Sequence, residues 1–186
     1  MSEENIKFSR VWAMSNSLTF SIKPIAELLK EEVDRTKLWI DPFANNSKWA
    51  SVTNDMNPEM DTNYHMDAID FLKMFDSDSV DGVLYDPPYS LRQVSECYKG
   101  VGKEVTMETT QSSWRSKHLK EIGRIVKIGG KAIFFGWNSA GGGKKYGFDI
   151  TRILLVPHGG MKNDTIVTVC EKTHEPFKEK KNEILK

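Results

Sequence analysis

The spacing of apolar residues along the chain predicts helices that alternate with strands. A helix that begins at Pro24 is indicated by four apolar residues at helical spacing, Ile25, Leu28, Leu29 and Val33. The same period predicts helices over residues 67–75 and 114–127. Short apolar runs predict strands over residues 38–40, 50–53, 80–85, 131–137, 150–157 and 165–170. Residues 1–22 show no clear period.

This order of elements predicts an α/β fold with one mostly parallel sheet and with ligands at the carboxyl ends of the strands. The last two strands are joined by only about seven residues, 158–164, and so short a link makes them antiparallel. About eight residues separate Asp41 from the second strand, whereas a parallel crossover usually takes about a dozen or more. Either the first crossover is truncated or one of these two strand predictions is wrong.

The sequence Asp86-Pro87-Pro88-Tyr89 follows an apolar run, at the point where a buried strand should end. The Asp86 carboxylate and the Pro87 carbonyl can each accept one hydrogen of a planar exocyclic amine. The nitrogen is then held in place, and its lone pair is freed to attack a methyl donor. Both prolines have a fixed φ, so the turn is stiff, and Tyr89 offers a flat face on which an extruded base can stack. A rigid acidic turn without chemistry is the alternative interpretation.

Three more aspartates stand near the ends of predicted strands or just before a helix: Asp41, Asp55 and Asp67. A cofactor such as S-adenosylmethionine needs acceptors for its ammonium group, its ribose hydroxyls and its adenine amine. Each aspartate also has a structural interpretation, because Asp is common in turns and at the caps of helices. Taken in order with Asp86, the series favours a cofactor site.

These motifs resemble those of the S-adenosylmethionine-dependent DNA adenine methyltransferases of the DPPY amino-methyltransferase family. The chain is most similar to the small phage-encoded type that has no separate target-recognition domain. The resemblance runs from about Ile40 to Lys172 and includes the sequences LYDPPYSLRQVSECY, FFGWNS and LLVPHGG. It implies the Rossmann-like methyltransferase fold, with an antiparallel strand pair at the C-terminal end of the sheet. It also implies S-adenosyl-L-methionine as the cofactor and the 6-amino group of adenine in DNA as the substrate.

The resemblance assigns roles to particular residues. It implies that the target base is held by three catalytic residues, Asp86, Pro87 and Tyr89. It implies that the cofactor is bound by Lys23, Asp41, Phe43, Ala44, Asp55, Asp67 and Asp86. Within this set, the sequence Asp41-Pro42-Phe43-Ala44-Asn45 resembles the first cofactor motif, D-x-F-x-G. Lys23 ends a segment, 20–23, that resembles the one closing over the methionine part of the cofactor.

The first cofactor motif departs from the family pattern. The family is glycine-rich at this point, which lets the backbone approach the cofactor closely. Here Asn45-Asn46-Ser47 stand in place of the glycines. Asn tolerates a left-handed φ better than most residues, so a similar turn is expected. Together with the short first crossover, the change predicts an open cofactor pocket and weak cofactor affinity.

The net charge of +0 predicts that any nucleic-acid contact comes from local patches, since a stand-alone DNA-binding protein usually has a basic surplus. Phosphate contacts are expected from Arg92, Arg115, Lys117, Lys144 and Lys145. His118 and Lys120 extend the same basic stretch on the 114–127 helix, for which a solvated helix face is the alternative. Sequence selection is expected from loops over 90–113 and 138–148, from homo-oligomerisation or from an accessory protein.

The 186 residues predict one domain over 1–174, followed by a charged tail over 175–186. Hydrophobic residues make up 39% and charged residues 28%, and no apolar stretch is long enough to span a membrane. The N-terminus does not resemble a signal peptide. The two cysteines are isolated and the four histidines lack metal-ligand spacing, so neither disulfide nor metal is expected. A cytoplasmic location is expected, the host cytoplasm if the chain is phage-encoded.

Other functions remain open at this stage. An RNA methyltransferase, or one acting on another planar amine or amide such as a glutamine side chain, uses a related turn. Asp at the first position favours a nucleobase, because the glutamine-modifying families usually carry Asn. A catalytically inactive binding module is favoured by the missing glycines and opposed by the intact Asp86–Tyr89 motif. A nicotinamide-dependent oxidoreductase is disfavoured, because no G-x-G-x-x-G follows the first strand.

Overall fold

Seven strands form one sheet in the computed structural model, which describes residues 5–106, 113–160 and 162–177. The strands are β1 Lys7–Arg10, β2 Trp39–Asp41, β3 Val52–Thr53, β4 Val80–Tyr85, β5 Val126–Gly136, β6 Phe148–Val156 and β7 Thr165–Lys172. Their order across the sheet is β1-β6-β7-β5-β4-β2-β3. Only β7 is antiparallel to its neighbours, β5 and β6. The predicted mostly parallel sheet with an antiparallel pair is confirmed, and β1 continues the sheet beyond that pair.

Four helices cover the two faces of the sheet or border its carboxyl edge: α1 Lys23–Glu32, α2 Ala68–Lys73, α3 Leu91–Gly100 and α4 Ser113–Ile125. On one face, Ile25 and Leu29 of α1 pack with Phe135 of β5 in a buried core. On the other face, Phe71 of α2 and Ile122 of α4 form a second core with neighbouring strands. Alternate residues of each central strand enter opposite cores, as expected of a sheet covered on both sides.

The first crossover is truncated, as the sequence predicts. Residues 42–51 join β2 to β3 through a turn without a helix, and the two strands pair in parallel, with Ile40 opposite Val52. Asn45 has a φ of 50°, so it takes the left-handed conformation that a glycine usually supplies. Its N–H donates to Asp55 Oδ2 at 2.9 Å, which ties this turn to the end of β3.

The helix predicted over 114–127 ends two residues early. Val126 begins β5 and pairs with Val80, whereas the next paired residue, Lys131, lies opposite Gly82. Residues 127–130 therefore form a bulge, in which Gly129 has a φ of 79°. Val126 is buried in the same core as the apolar face of α4. It therefore matches the helical spacing of apolar residues although it belongs to β5, and the prediction placed it in the helix.

Two elements were missed by the sequence reading. β1 is an edge strand with little burial, so it has no alternating apolar signal. α3 lies within the span that we expected to be loop. It begins with a capping box, in which Ser90 Oγ accepts from Gln93 N–H and the Gln93 side chain accepts from Ser90 N–H. Only Val94 and Tyr98 of α3 are buried, which leaves little apolar period.

The start of the predicted tail packs on the domain. The Phe177 N–H donates to the Lys145 carbonyl at 2.9 Å, and Glu175 lies 3.7 Å from the Lys172 Nζ. The rest of the predicted tail, 178–186, and part of the predicted loop, 107–112, lie outside the described residues. No helix within the described ranges has the length and apolar character needed to cross a membrane.

Candidate active site

A cavity of about 870 Å³ opens where the carboxyl ends of β2, β3 and β4 meet. Five segments supply its walls: residues 17–21, the crossover 42–49, the loop 55–60, the turn 86–89 and the cavity side of α3. Met66, Asp67 and Ala68 at the start of α2 and Trp114 at the start of α4 complete it. The cavity therefore lies where ligands bind in open α/β sheets.

Asp86 lies at the carboxyl end of β4, a strand whose last four residues are fully buried. One oxygen of its carboxyl, Oδ1, accepts a hydrogen bond from the Tyr89 hydroxyl. Burial raises the pKa of the Asp86 carboxyl to about 6, against the opposing effect of hydrogen bonds from the Tyr89 and Thr19 side chains. Asp86 is thus a hydrogen-bond acceptor whose carboxyl group loses its proton only near neutral pH.

Tyr89 lines the cavity but folds back toward Asp86. Its hydroxyl donates to that carboxyl, and its ring packs edge-to-face against Trp137, with 5.6 Å between ring centres. Its pKa is raised by burial and by the neighbouring Asp86 charge. Pro87 also lines the cavity, so all three residues expected at the target base share one wall.

Asp41 does not line the cavity, contrary to the expected direct contact with the cofactor. It is fully buried beneath the crossover, where Oδ1 accepts from the Phe43 N–H at 3.0 Å. Its Oδ2 has no hydrogen-bond partner in the described chain. Burial, together with the charges of Asp86 and Asp55, raises its pKa. Asp41 therefore shapes the loop that carries Phe43 and Ala44, both of which line the cavity.

Asp55 and Asp67 line the cavity and also organise the backbone beside it. The Asp55 oxygens accept from the N–H groups of Asn45 and Asn57, each at 2.9 Å. Asp67 caps α2, since its Oδ1 accepts from the Ile69 N–H at 3.0 Å. The structural role that the sequence left open is thus present in both residues. Each carboxylate can still accept a hydrogen bond from a ligand, because every carboxylate oxygen has two lone pairs.

The second oxygen of Asp67 is linked to both flanking helices. It accepts a hydrogen bond from the Tyr98 hydroxyl of α3. Tyr98 in turn has a side-chain hydrogen bond with Trp114 of α4, while burial raises the pKa of its phenol. Trp114 and Tyr98 both line the cavity, so this chain of side chains positions the wall around Asp67.

An aromatic cluster supports the crossover from below. The Phe43 ring packs 5.6 Å from Tyr85 and 6.0 Å from Trp114, measured between ring centres. Tyr85 and His118 are buried and hydrogen-bonded through the hydroxyl and Nδ1 at 3.0 Å. Burial lowers the pKa of His118 to about 4, so this ring is neutral at physiological pH. His118 therefore adds no charge to the basic stretch in which the sequence placed it.

The cavity is acidic rather than basic. Four carboxylates line it, those of Asp55, Asp67, Asp86 and Glu96, of which Glu96 is paired with Arg92, whereas Lys48 is the one basic residue among the lining side chains described. The Lys48 Nζ is 2.8 Å from Asp61 Oδ2, so its charge is already balanced. Such a lining suits a ligand that presents cationic groups, amines or hydroxyls, and does not suit a polyphosphate.

Lys23 is not among the lining residues, contrary to expectation. It is exposed as the first residue of α1, while the preceding 3₁₀ turn, Thr19–Ser21, borders the cavity together with Ser17 and Leu18. The segment named by the resemblance thus borders the cavity, while Lys23 itself lies outside the cavity lining.

The five residues expected at phosphates do not line the cavity. Arg92 is exposed on α3, where its Nε pairs with Glu96 at 2.7 Å. The Arg115 guanidinium lies 5.8 Å from the centre of the buried Tyr85 ring, and Lys117 is exposed on α4. As phosphate contacts, these three residues remain predictions.

Lys144 and Lys145 lie at the opposite edge of the sheet. They precede Phe148, which pairs with the last residue of β7 at the amino ends of the parallel strands. The structure therefore does not bring them to the cavity. The glycines before them serve packing: a Cβ at Gly141 would lie 2.6 Å from Cys170 Sγ, and one at Gly142 would lie 2.6 Å from the Phe148 ring.

Two cavity residues were missed as functional candidates, Thr19 and Tyr98. The Ser90-x-x-Gln93 capping box was a usable signal for α3, and it would have placed Tyr98 on a buried helical face. Nothing local marks Thr19, because its contact with Asp86 joins residues far apart in sequence.

The fold matches solved methyltransferases. TrmN from Thermus thermophilus superposes with a TM-score of 0.53 at 17% identity, covering 81% of this chain and 49% of TrmN. This chain thus spans about half the length of TrmN. A putative methyltransferase in complex with the Haloferax volcanii Trm112 activator gives a TM-score of 0.55 at 14% identity over 82% and 90% of the two chains.

A third neighbour was solved with S-adenosylhomocysteine bound. It is a Burkholderia thailandensis 1,6-didemethyltoxoflavin-N1-methyltransferase, with a TM-score of 0.54 and 12% identity over 82% of this chain and 78% of that one. No family model matches the sequence, and no curated protein matches it significantly. At these identities the likeness establishes the Rossmann-like methyltransferase fold.

Proposed function

We propose that this chain transfers a methyl group from S-adenosylmethionine to the exocyclic 6-amino group of adenine in DNA, as a member of the DPPY family. The observation that carries the proposal is that Asp86 borders the same cavity as Asp55 and Asp67. An acceptor for a substrate amine and acceptors for a cofactor thus face one space.

The cavity suits this cofactor by size and by donor chemistry. Its volume of about 870 Å³ is within the range of about 300–1,000 Å³ that small-molecule sites usually have. The cofactor presents an ammonium group, two ribose hydroxyls and an aromatic amine, all of which donate hydrogen bonds. Asp55, Asp67 and Glu96 can accept them, and Phe43 and Met66 offer apolar surface to the adenine ring.

When bound, the cofactor supplies an electrophilic methyl group on a sulfonium. The chain supplies the position of the nucleophile. Asp86 accepts one hydrogen of the amine, and the Pro87 carbonyl accepts the other. This exchange requires the Tyr89 hydroxyl to share or leave the Asp86 oxygen that it now occupies. Much of the rate then comes from holding the two reactants in line, and the adenine must be extruded or presented in a single strand.

An accessory protein or a second copy is proposed to supply sequence selection. Lys48 is the one lysine or arginine among the described residues that line the cavity, so few phosphate contacts are available beside Asp86. One structural neighbour was solved with a methyltransferase activator, which makes an accessory subunit a reasonable arrangement for this fold.

The proposal is tested by radiolabelled methyl transfer to duplex DNA, single-stranded DNA, RNA and protein in parallel. We expect label in DNA adenine, and none in DNA with Asp86→Ala, which removes the acceptor. The matched control is Asp70→Ala, which removes an exposed carboxylate of α2 outside the cavity lining. Calorimetry with S-adenosylhomocysteine on the same variants separates loss of chemistry from loss of cofactor binding.

Two outcomes contradict the proposal. If label appears in RNA or protein and not in DNA, the substrate of the cavity is another planar amine or amide. Absence of S-adenosylhomocysteine binding by the wild-type chain would instead identify a binding module that has lost its cofactor.

A further inference from the structure

An exposed apolar stretch leads to the mouth of the cavity. Eleven large hydrophobic residues are exposed in the part of the chain that the structure describes, and six of them fall within residues 6–18. They are Ile6, Phe8, Val11, Trp12, Met14 and Leu18. Single exposed apolar residues are common on protein surfaces, but such a concentration in thirteen positions usually marks an interaction site.

Strand alternation separates these residues into two faces. Lys7 lies 3.8 Å from Glu31 of α1, and Ala13 packs against the core beneath α1, so the odd-numbered residues face that side. Phe8, Arg10 and Trp12 project to the other side of the sheet. The parallel ladder continues past β1, because Val11 N–H donates to the Leu155 carbonyl at 3.0 Å and Ala13 N–H to the Pro157 carbonyl at 3.2 Å.

The two rings and the guanidinium are open to solvent. Phe8 is 64% exposed and Trp12 is 60% exposed, and Arg10 between them is exposed as well. Their register partners on β6, Ile153 and Leu155, are only partly buried, so the face has no complete cover there. None of these five positions is acidic.

We propose that Phe8, Arg10 and Trp12 form a stacking face that binds single-stranded nucleic acid on its way to the cavity. Exposed aromatic rings with a basic side chain between them, on one face of a sheet, are the arrangement by which sheets stack unpaired bases and pair with phosphates. This inference rests on the proposed function and names the path of its substrate. The Lys144-Lys145 pair lies at the opposite edge of the sheet, away from this path.

The stacking face ends at the same edge of the sheet as the candidate site. Trp12 extends β1 at the carboxyl edge, beside Gly159 of the link between β6 and β7. The chain then runs to residues 17–21, which line the cavity. Four strand spacings separate β1 from β4, which is about 19 Å. A stacked strand advances about 3.4 Å per nucleotide, so about six nucleotides join the two places.

The test measures the binding of fluorescently labelled oligonucleotides by anisotropy, without cofactor and at low salt. The probes are a 12-nucleotide single strand, its duplex and a 4-nucleotide strand. We expect the 12-nucleotide single strand to bind more tightly than either of the others. Phe8→Ala and Trp12→Ala should each weaken that binding about tenfold, as the loss of one stacked base predicts. Arg10→Ala should weaken it and also reduce its dependence on salt.

The matched controls lie on the same strand and on a remote surface. Lys7→Ala removes an equal charge from the other face of β1, and Phe177→Ala removes a ring that is 61% exposed at the amino edge of the sheet. Both should bind the 12-nucleotide strand within twofold of the wild type. Far-ultraviolet circular dichroism and thermal unfolding check that every variant keeps the fold.

Failure of this inference is distinguishable from failure of the proposed function. Wild-type affinity in both Phe8→Ala and Trp12→Ala overturns the stacking face, even if methyl transfer to DNA is observed. So does a dimer that both substitutions dissociate, because a second copy would then cover the face. Loss of oligonucleotide binding in both variants supports the inference, even if no methyl transfer is detected.

Discussion

The two edges of the sheet treat buried charge in opposite ways. At the amino edge the cations have carboxylate partners: the buried Lys172 lies 2.7 Å from Asp78, and the partly exposed Lys131 lies 2.7 Å from Glu32. At the carboxyl edge Asp41, Asp55, Asp67 and Asp86 have no ion-pair partner among the described residues. They accept hydrogen bonds from backbone N–H groups and from hydroxyls.

The presence or absence of ion-pair partners indicates where a ligand is expected to bind. A buried charge that is paired has its field already balanced, and its role is structural. Carboxylates that accept hydrogen bonds from neutral donors have no counter-ion, and their oxygens retain lone pairs for a hydrogen-bond donor on a ligand. Motifs of the same residue types thus have different meanings at the two edges.

The largest expected effect comes from the paired edge. Lys172→Ala should lower the free energy of unfolding by about 3 kcal/mol, because it removes a buried charge partner and leaves a cavity. Urea unfolding followed by circular dichroism measures the change. Lys30→Ala, on the exposed side of α1, is the control and should cost less than about 0.5 kcal/mol. Equal stability of the two variants would contradict a structural role for Lys172.

At the unpaired edge, Asp86→Asn should stabilise the free protein at pH 8 by about 2–3 kcal/mol, because it removes a charge that the fold disfavours. The folded protein binds the Asp86 proton more tightly than the unfolded chain, whose Asp has a pKa near 3.8. The stabilising contribution of this bound proton is therefore fully present below about pH 3.8 and is lost as the pH rises through about 6. Thermal unfolding at pH 5 and pH 8 measures this, and Asp70→Asn serves as the control.

The same carboxyl predicts the pH dependence of methyl transfer. Asp86 accepts a hydrogen from the amine only when it is deprotonated, so the rate should rise about tenfold per pH unit below about 6 and level off above it. Initial rates between pH 5 and pH 8 at substrate concentrations well below KM measure the profile, because they report the pKa of the free protein. A rate that is flat across this range would remove Asp86 from the reacting geometry.

A smaller effect is expected at Asp67, where capping and ligand contact can be separated. Asn caps a helix about as well as Asp, so Asp67→Asn should change the free energy of unfolding by less than about 0.5 kcal/mol. It removes the charge that faces the cavity, so the affinity for S-adenosylhomocysteine should fall about tenfold. Calorimetry measures the affinity. An unchanged affinity would limit Asp67 to its role in α2.

The smallest effect is expected from the amino-edge lysines. Lys144→Ala and Lys145→Ala should each leave the affinity for a 12-nucleotide single strand within about twofold of the wild type, because both residues lie away from the cavity edge. Gly142→Ala is the structural comparison at this segment. Its Cβ would meet the Phe148 ring at 2.6 Å, so it should lower the free energy of unfolding by about 1–3 kcal/mol. Strong loss of binding in the lysine variants would contradict this division of the molecule.

The features that depend on short-range order could be predicted from the amino-acid sequence. Apolar runs located β4 and the helix α1, and the short link over 158–164 predicted the reversal of β7. The spacing of about eight residues after Asp41 predicted a truncated crossover or a wrong strand, and the structure has the truncated crossover. The Asp86–Tyr89 turn and the order of the aspartates also predicted where a cavity would open. These are local properties, because chain length and periodicity constrain them directly.

Long-range packing fixes which residues share the cavity. It placed Asp41 behind the cavity wall, put Thr19 rather than Lys23 in the cavity lining, and joined Tyr98 to Asp67 across 31 positions. It also carried Lys144 and Lys145 to the far edge and left Phe8 and Trp12 exposed near the cavity side. Such contacts join distant parts of the chain through packing, and packing has no signature in local composition.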